Sequence, residues 1–204
     1  MNARFSPLAM ILLAVLLVAA FALSIVNLQV ALPYAQWRQA LWQPDSDTSL
    51  LLRAYLQKDP SGGYHGSLPL DGTRYAHNGR KLSPSTNEGD PGDGYQRREQ
   101  IYSYEFNHQF NDVWSAYSAG SYTHTNVSLD QVYQVGWVGD SNMLSRGYSG
   151  SRGSLDAWST DNRLRADFTT GELAHTLIFG AEYHRFRNDL WTGAGNAAPL
   201  NPFT

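Results

Sequence analysis

The stretch of sequence that decides the fold is EQIYSYEFNHQF, at residues 99–110. From position 102 onward every second residue is aromatic or histidine, and these residues are Tyr102, Tyr104, Phe106, His108 and Phe110. The residues between them are polar: Ser103, Glu105, Asn107 and Gln109. Because successive side chains of a strand point to opposite faces, this period of two predicts a β-strand with one aromatic and one polar face.

The residues that follow predict a hairpin. Asn111 and Asp112 are turn-forming residues, and VWSAYSAGSYTHTNV at residues 113–127 then alternates again as a returning strand. One set of its side chains is expected to face outward: Trp114, Ala116, Gly120 and Tyr122. The opposite set is Ser115, Tyr117, Ser121 and Thr123.

A second hairpin of the same design is predicted near the carboxyl end. Leu164, Ala166 and Phe168 alternate with Arg163, Arg165 and Asp167 before a turn at residues 170–172. The returning strand places one further apolar set on a single face: Leu177, Phe179, Ala181 and Tyr183. Both hairpins are therefore expected to be antiparallel and two-faced.

Long polar connections are predicted at residues 58–97 and 128–159, in contrast to the short turns. Short turns alternating with long loops, with aromatic residues outside, are typical of outer-membrane β-barrels. A soluble β-sandwich normally has strands of ~5–6 residues, shorter than the alternating stretches here. The sequence predicts a mainly β fold in residues 49–204, with antiparallel strands of a partial transmembrane β-barrel and long loops.

The amino-terminal region, residues 1–48, is predicted to be a separate domain. The uncharged stretch LAMILLAVLLVAAFALSIV at residues 8–26 would span roughly 28 Å as an α-helix, which suffices to cross a membrane. The alternative is a secretory signal, with Arg4 before the apolar stretch and a small-x-small site at residues 20–22. Trp37, Leu41 and Trp42 then predict a short amphipathic interfacial helix.

Composition and motifs exclude several functions. With 15 Lys and Arg against 18 Asp and Glu, the net charge of -3 offers no basic field for nucleic acid. The chain has no cysteine, its six histidines lack zinc-site spacing, and it contains no GxSxG, P-loop or HExxH motif. Glu182 and His184 could form an acid-base pair, although a polar lumen wall is the simpler interpretation. We therefore predict no catalytic residues, no metal site, no cofactor and no enzymatic activity.

Three segments resemble one known family: LRAYLQKDPSGGYHGSLPLDGT at residues 52–73, DAWSTDN at 156–162 and TGELAHTLIFGAEY at 170–183. They are similar to the barrel of TonB-dependent siderophore receptors of the ferrichrome and related hydroxamate kind, over residues 50–204. The resemblance implies an outer-membrane location, contact with membrane lipid, a ferric siderophore as ligand, and energy from TonB. Because the family's plug and TonB box do not stand before the barrel, it also implies a fragment unable to transport alone.

Residues 1–47 resemble a second family through NLQVALPYAQWRQALWQPD at residues 27–45. This segment is similar to the start of permease subunits of iron-siderophore ABC importers, which suggests a fused chain. Two alternatives to the receptor interpretation stay open. One is a permease-derived inner-membrane anchor with an inert tail, and the other is a secreted β-rich binding module.

Ligand contacts, if the family's function applies, are expected in the long loops. Aromatic side chains there can offer ring faces to a bulky polar ferric chelate. The candidates are Tyr64, Tyr133, Trp137, Tyr148 and Trp191. The alternative is that these residues are ordinary rim aromatics of a barrel.

Overall fold

The structure is a computed structural model that describes residues 13, 15–21, 34–60 and 66–204. The described residues at 13 and 15–21 are helical, and the rest of the helix predicted at residues 8–26 lies outside the described part. Within the described residues, no helix has the length and apolar character needed to cross a membrane.

The described residues form six strands in one sheet, with the order β1-β2-β3-β4-β5-β6. The strands are β1 (Tyr34–Trp42), β2 (Thr48–Asp59), β3 (Gly94–Gln109), β4 (Trp114–Trp137), β5 (Leu144–Thr170) and β6 (Leu173–Leu200). A turn at Leu70–Thr73, in which Asp71 and Gly72 have non-helical backbone angles, lies between β2 and β3. Neighbours in sequence are antiparallel neighbours in the sheet, which confirms the predicted mainly β fold.

The predicted interfacial helix at residues 34–42 is wrong, because this segment is the strand β1. Trp37 and Leu41 are both 60% exposed, and the Trp37 ring lies 6.1 Å from the Tyr55 ring on β2. Residues four apart share a face in a helix and also in a strand. The spacing therefore fits both structures, and hydrogen bonding with β2 selects the strand.

Both predicted turns are confirmed, and each has its own local cause. Between β3 and β4 the Asn111 Oδ1 atom accepts hydrogen bonds from the backbone N–H groups of Val113 and Trp114, each at 2.9 Å. Between β5 and β6, Gly171 has φ of 61°, a left-handed conformation that glycine adopts without steric cost. The first turn thus depends on a side-chain acceptor and the second on a missing side chain.

One of the two predicted long connections is confirmed. Residues 60–93 separate β2 from β3, whereas only residues 138–143 separate β4 from β5. The long loop predicted at residues 128–159 is wrong, because most of these polar residues belong to strands. In the structure they are strand residues with partners on the neighbouring strand, as when Arg152 on β5 pairs with Asp130 on β4 at 2.8 Å.

The chain divides into two compact units. The first unit comprises Met1–Gln57, Glu99–Thr125 and Leu155–Arg187, and the second comprises Lys58–Arg98, Asn126–Ser154 and Asn188–Thr204.

In the first unit, the strands β5 and β6 have one apolar and one polar face. The apolar face carries Leu164, Phe168, Leu177, Phe179 and Tyr183, all of them at least one third exposed. The polar face carries Arg163, Arg165, Asp167, Thr176 and Glu182. Here Arg165 Nε lies 2.6 Å from Asp167 Oδ2, and the Thr176 hydroxyl donates to Asp167 Oδ1 at 2.6 Å.

In each unit, an aromatic ring on one strand packs directly against a glycine on the neighbouring strand. In the first unit the Tyr104 ring of β3 lies over Gly120 of β4, where a Cβ atom would stand 2.5 Å from Tyr104 Cε1. In the second unit the Tyr133 ring of β4 lies over Gly147 of β5, and a Cβ atom there would be 3.1 Å from the ring. An alanine at position 120 would displace the Tyr104 ring, whereas an alanine at position 147 would require the Tyr133 ring to move by only a few tenths of an ångström.

The second unit has its own small core. Leu144 is fully buried, and Leu82 and Val132 are less than a tenth exposed. The buried Arg146 donates from Nε to the Ala198 carbonyl at 2.7 Å and from Nη1 to the Glu88 carbonyl and to Asp90 Oδ1, both at 2.8 Å. One guanidinium therefore connects three separate segments of the unit.

Candidate ligand-binding site

The second unit contains an open cleft with a volume of about 720 Å³. Its basic lining residues are Lys58, Arg97, Arg98 and Arg152. Its acidic lining residues are Asp59 and Asp189, and Trp191 contributes an aromatic ring. Because strands β2 to β6 all supply residues, the cleft depends on the correct register of the whole sheet in this unit.

The charge of the cleft differs from that of the chain. Four basic and two acidic residues line the cleft, whereas the whole chain carries a net charge of -3. A cleft with more basic than acidic residues favours ligands that present partial negative charge, such as neutral chelates with many oxygen atoms. Lys and Arg also present only hydrogen-bond donors, which suits a ligand with many oxygen acceptors.

A hydrogen-bond network holds one cleft residue in place. Arg152 Nη2 lies 2.8 Å from Asp130 Oδ2, and the Tyr148 hydroxyl donates to Asp130 Oδ1 at 2.7 Å. Asp130 thus contacts both Arg152, which lines the cleft, and Tyr148, which is one of the predicted ligand-binding residues. The network restricts the side chain of Arg152 to one direction, which lowers the entropy cost of binding a ligand there.

The five aromatic candidates are distributed unevenly around this cleft. Trp191 lines it and is 55% exposed, and Tyr148 is joined to it through Asp130. Tyr133 covers Gly147, and Trp137 belongs to a separate cluster with His77. Tyr64 lies outside the described residues.

The expected placement of these aromatics in long loops is wrong for the four described residues. Tyr133 and Trp137 belong to β4, Tyr148 belongs to β5 and Trp191 belongs to β6. All four nevertheless fall in the second unit. The strands are longer than expected because cross-strand polar pairs stabilise them where the sequence lacks apolar alternation.

Trp137 takes part in a stacked cluster. Its ring centroid lies 3.7 Å from that of His77, with 1° between the planes, and 5.9 Å from that of Phe203, with 7° between the planes. The indole Nε1–H donates to the Asp71 carbonyl at 2.9 Å, and the Arg80 guanidinium lies 4.3 Å from the Phe203 ring centre. These contacts fix the indole in one orientation.

His77 is the titratable group of this cluster. It is 7% exposed, with Nδ1 at 2.6 Å from Asp71 Oδ2 and Nε2 at 2.9 Å from the Ser141 carbonyl. Burial acts to lower the pKa of His77, but the hydrogen bonds to Asp71 and Ser141 and the charges of Asp71 and Asp140 outweigh it. The pKa of His77 is therefore raised above 6.5.

The basic residues of the cleft and the contacts of His77 were not predicted from the sequence. The residues of the run QRRE at positions 96–99 are spread over both faces of a strand, so their spacing alone gives no sign of a shared site. The sequence around His77 does not indicate its contact with Ser141, because Ser141 is 64 residues away. Only the pairing of strands brings these groups together.

The remaining sequence candidates form no reactive site. His184 Nε2 lies 3.7 Å from Glu182 Oε2, and both side chains are more than half exposed. Exposed pairs of this kind are strongly screened by water. Within the part of the chain that the structure describes, no group of three His, Cys, Asp or Glu residues is arranged to hold a metal ion.

Comparison with known proteins finds relatives of one kind, although no family model matches the chain. It is 49% identical over 172 residues to the ferrioxamine receptor of Yersinia enterocolitica, covering 84% of this chain and 24% of that protein. It is 39% identical over 171 residues to the ferrioxamine B receptor of Salmonella typhimurium strain SL1344, covering 83% and 24%. It is 31% identical over 179 residues to the ferrichrome outer membrane transporter/phage receptor of Escherichia coli strain K12, covering 78% and 24%. The chain thus spans about a quarter of the length of these relatives.

These relatives do not support the resemblance of residues 1–47 to an importer permease. The similarity to the Yersinia receptor covers 84% of the chain, which is more than residues 50–204 provide. It must therefore extend into the residues before position 50. The structure agrees, because β1 pairs with β2 in the same sheet as the rest of the chain.

Proposed function

We propose that this chain is a segment of an outer-membrane receptor that takes up ferric siderophores. The observation that carries this proposal is the 49% identity to a ferrioxamine receptor across 84% of the chain. Energy for uptake would come from TonB, as the resemblance of the barrel segments implies. The relatives are named as receptors or transporters, in keeping with a role in binding and transport rather than catalysis.

The faces of the first unit support contact with membrane lipid. A membrane-spanning strand needs ~9–11 residues, apolar toward lipid and polar toward the lumen. The strands β5 and β6 exceed that length and carry Leu177 and Phe179 opposite Arg163 and Arg165. We assign the apolar face of the first unit to the hydrocarbon of the outer membrane.

The cleft of the second unit supports a siderophore as the ligand. A ferric hydroxamate chelate is bulky and presents oxygen atoms, so it accepts hydrogen bonds from a cleft arginine such as Arg152. Trp191 would pack a ring face against its carbon chain. We propose Trp191 and Tyr148 as the principal aromatic contacts. Tyr64, Tyr133 and Trp137 stay predicted contacts, of which Tyr133 packs against Gly147 and Trp137 stacks on His77 outside this cleft.

Binding of ferrioxamine B to the purified full chain in detergent tests this proposal. Titration with the ferric form should quench tryptophan fluorescence saturably, and the metal-free form should compete weakly. Trp191→Ala should weaken binding at least tenfold, because it removes the aromatic wall of the cleft. Trp158→Ala is the matched control, since Trp158 is 54% exposed but lies in the first unit. Equal loss in both variants, or no saturable quenching, would contradict the proposal.

A further inference from the structure

The contacts of His77 define its protonation state. Nδ1 faces the Asp71 carboxylate at 2.6 Å and Nε2 faces the Ser141 carbonyl at 2.9 Å. Both partners only accept hydrogen bonds, so both ring nitrogens must donate. Only the imidazolium form of histidine has two N–H donors.

A neighbouring amide does not change this assignment. Asn78 Nδ2 is 3.3 Å from His77 Nε2, but it is closer to the Asp140 carbonyl at 2.9 Å and to Asn142 Oδ1 at 3.1 Å. Two N–H groups serve these two acceptors. Asn78 therefore adds a second link to the turn at residues 138–143 and leaves His77 to donate to Ser141.

The stack with Trp137 further favours a charged ring. A cation over an indole face is attracted by the negative charge of the ring centre, and the two ring centroids are 3.7 Å apart. Trp137 is itself held by its hydrogen bond to the Asp71 carbonyl. His77, Trp137 and Asp71 therefore form a closed set of contacts between the β2–β3 connection and the end of β4.

We propose that His77 is a pH-operated latch that holds the connection at residues 66–93 against the turn at residues 138–143. When His77 loses a proton, one ring nitrogen carries a lone pair instead of an N–H group. That lone pair must then face either the Asp71 carboxylate or the Ser141 carbonyl, and the contact becomes repulsive. Because the ring is 7% exposed, water cannot readily replace the lost partner.

The charges around His77 determine how the latch responds to pH. Asp71 and Asp140 both favour the cation, while the nearby Arg80 guanidinium lies over the Phe203 ring. The folded-state pKa of His77 is raised, so the latch is fully closed below about pH 6.5, the unfolded value. It weakens as the pH rises from there through the folded-state pKa. The proposal does not rest on the siderophore function.

Hydrogen exchange of the full chain in detergent tests the latch, read at the turn amides between pH 5.5 and 9 and corrected for intrinsic exchange. Opening should increase by up to tenfold per pH unit above about 6.5 and then level off. His77→Gln should expose the turn at every pH and remove this dependence, and Asp71→Asn should move the NMR titration midpoint of His77 downward. His184→Gln, at an exposed position, should behave like the parent chain.

Two outcomes would overturn the latch. One is corrected exchange at the turn that does not change with pH in the parent chain. The other is a pH dependence that persists unchanged in His77→Gln while the NMR spectrum shows that the variant is folded.

Discussion

The two units of the chain are stabilised in different ways. In the first unit, the described buried residues of the core are small or aliphatic, namely Ala54, Leu56 and Ala166, and large apolar side chains such as Leu164 and Phe179 are exposed. In the second unit, Leu82, Val132 and Leu144 are accompanied by buried polar groups, His77, Glu88 and Arg146. The first pattern is typical of a sheet whose surface contacts an apolar environment. The second is typical of a unit stabilised by hydrogen bonds between buried polar groups.

The largest effect is expected from Arg146→Met in the second unit. It removes the buried donors for Ala198, Glu88 and Asp90, so unfolding free energy should fall by about 3 kcal/mol. Arg165→Met is the control, because its ion pair with Asp167 is about half exposed and should change stability by less than about 1 kcal/mol. Urea unfolding in detergent measures both, and equal effects would mean that the buried guanidinium is not a structural centre.

An effect of similar size is expected where a charge is placed on the apolar face of β6. Phe179→Lys puts a charge on the apolar face of the first unit and should destabilise the protein in lipid vesicles by roughly 2–4 kcal/mol if it lies near the bilayer midplane. Ile178→Lys is the neighbouring control, since Ile178 shares a surface with Arg163 and Arg165 and should cost about 1 kcal/mol or less. Greater destabilisation by Ile178→Lys would show that the faces are reversed.

Close approach of strands β3 and β4 predicts the next effect. Gly120→Ala would place Cβ 2.5 Å from Tyr104 Cε1, so we expect a loss of about 1–2 kcal/mol from overpacking. Tyr104→Ala should relieve this clash in the double variant. Gly180→Ala, where Cβ would be 3.4 Å from the Asn162 carbonyl, should be neutral or slightly stabilising. Thermal unfolding that shows no coupling between positions 104 and 120 would contradict the contact.

The smallest effect is expected at the first hairpin turn. Asn111→Ala removes the acceptor of the Val113 and Trp114 N–H groups and should lower unfolding free energy by about 1 kcal/mol. Asp112→Ala should change it by less than about 0.5 kcal/mol, as exposed substitutions commonly do. A larger loss at Asp112 than at Asn111, measured by urea unfolding, would require a different account of the turn.

Sequence alone predicts the fold where its period is regular. The alternation at residues 99–110 and 163–183 predicts β3, β5, β6 and both turns, because one face of each strand is apolar. It fails at β1, where Trp37 and Leu41 fit a helix and a strand equally. It also fails at residues 128–159, because polar side chains on both faces leave no alternation to read.

The candidate site is less predictable than the fold. Aromatic residues such as Trp191 and Tyr148 can be chosen for their chemistry, but their placement in loops was wrong. Arg97, Arg98 and Arg152 come together only through the pairing of β3, β4 and β5. The contact between His77 and Ser141 spans 64 residues, a separation at which no local pattern operates.

The fit of aromatic rings over glycines has a consequence for how the chain reaches its structure. A strand that slips by two residues keeps its apolar side chains on the same face of the sheet, so alternation alone does not prevent that error. Slippage of β4 against β3 would place Tyr104 opposite Ser118 or Tyr122, where a side chain blocks the ring. Tyr133 and Gly147 make a similar but less close contact between β4 and β5. The glycines therefore act as register marks, which penalise misaligned hairpins during assembly before the long strands have fully paired.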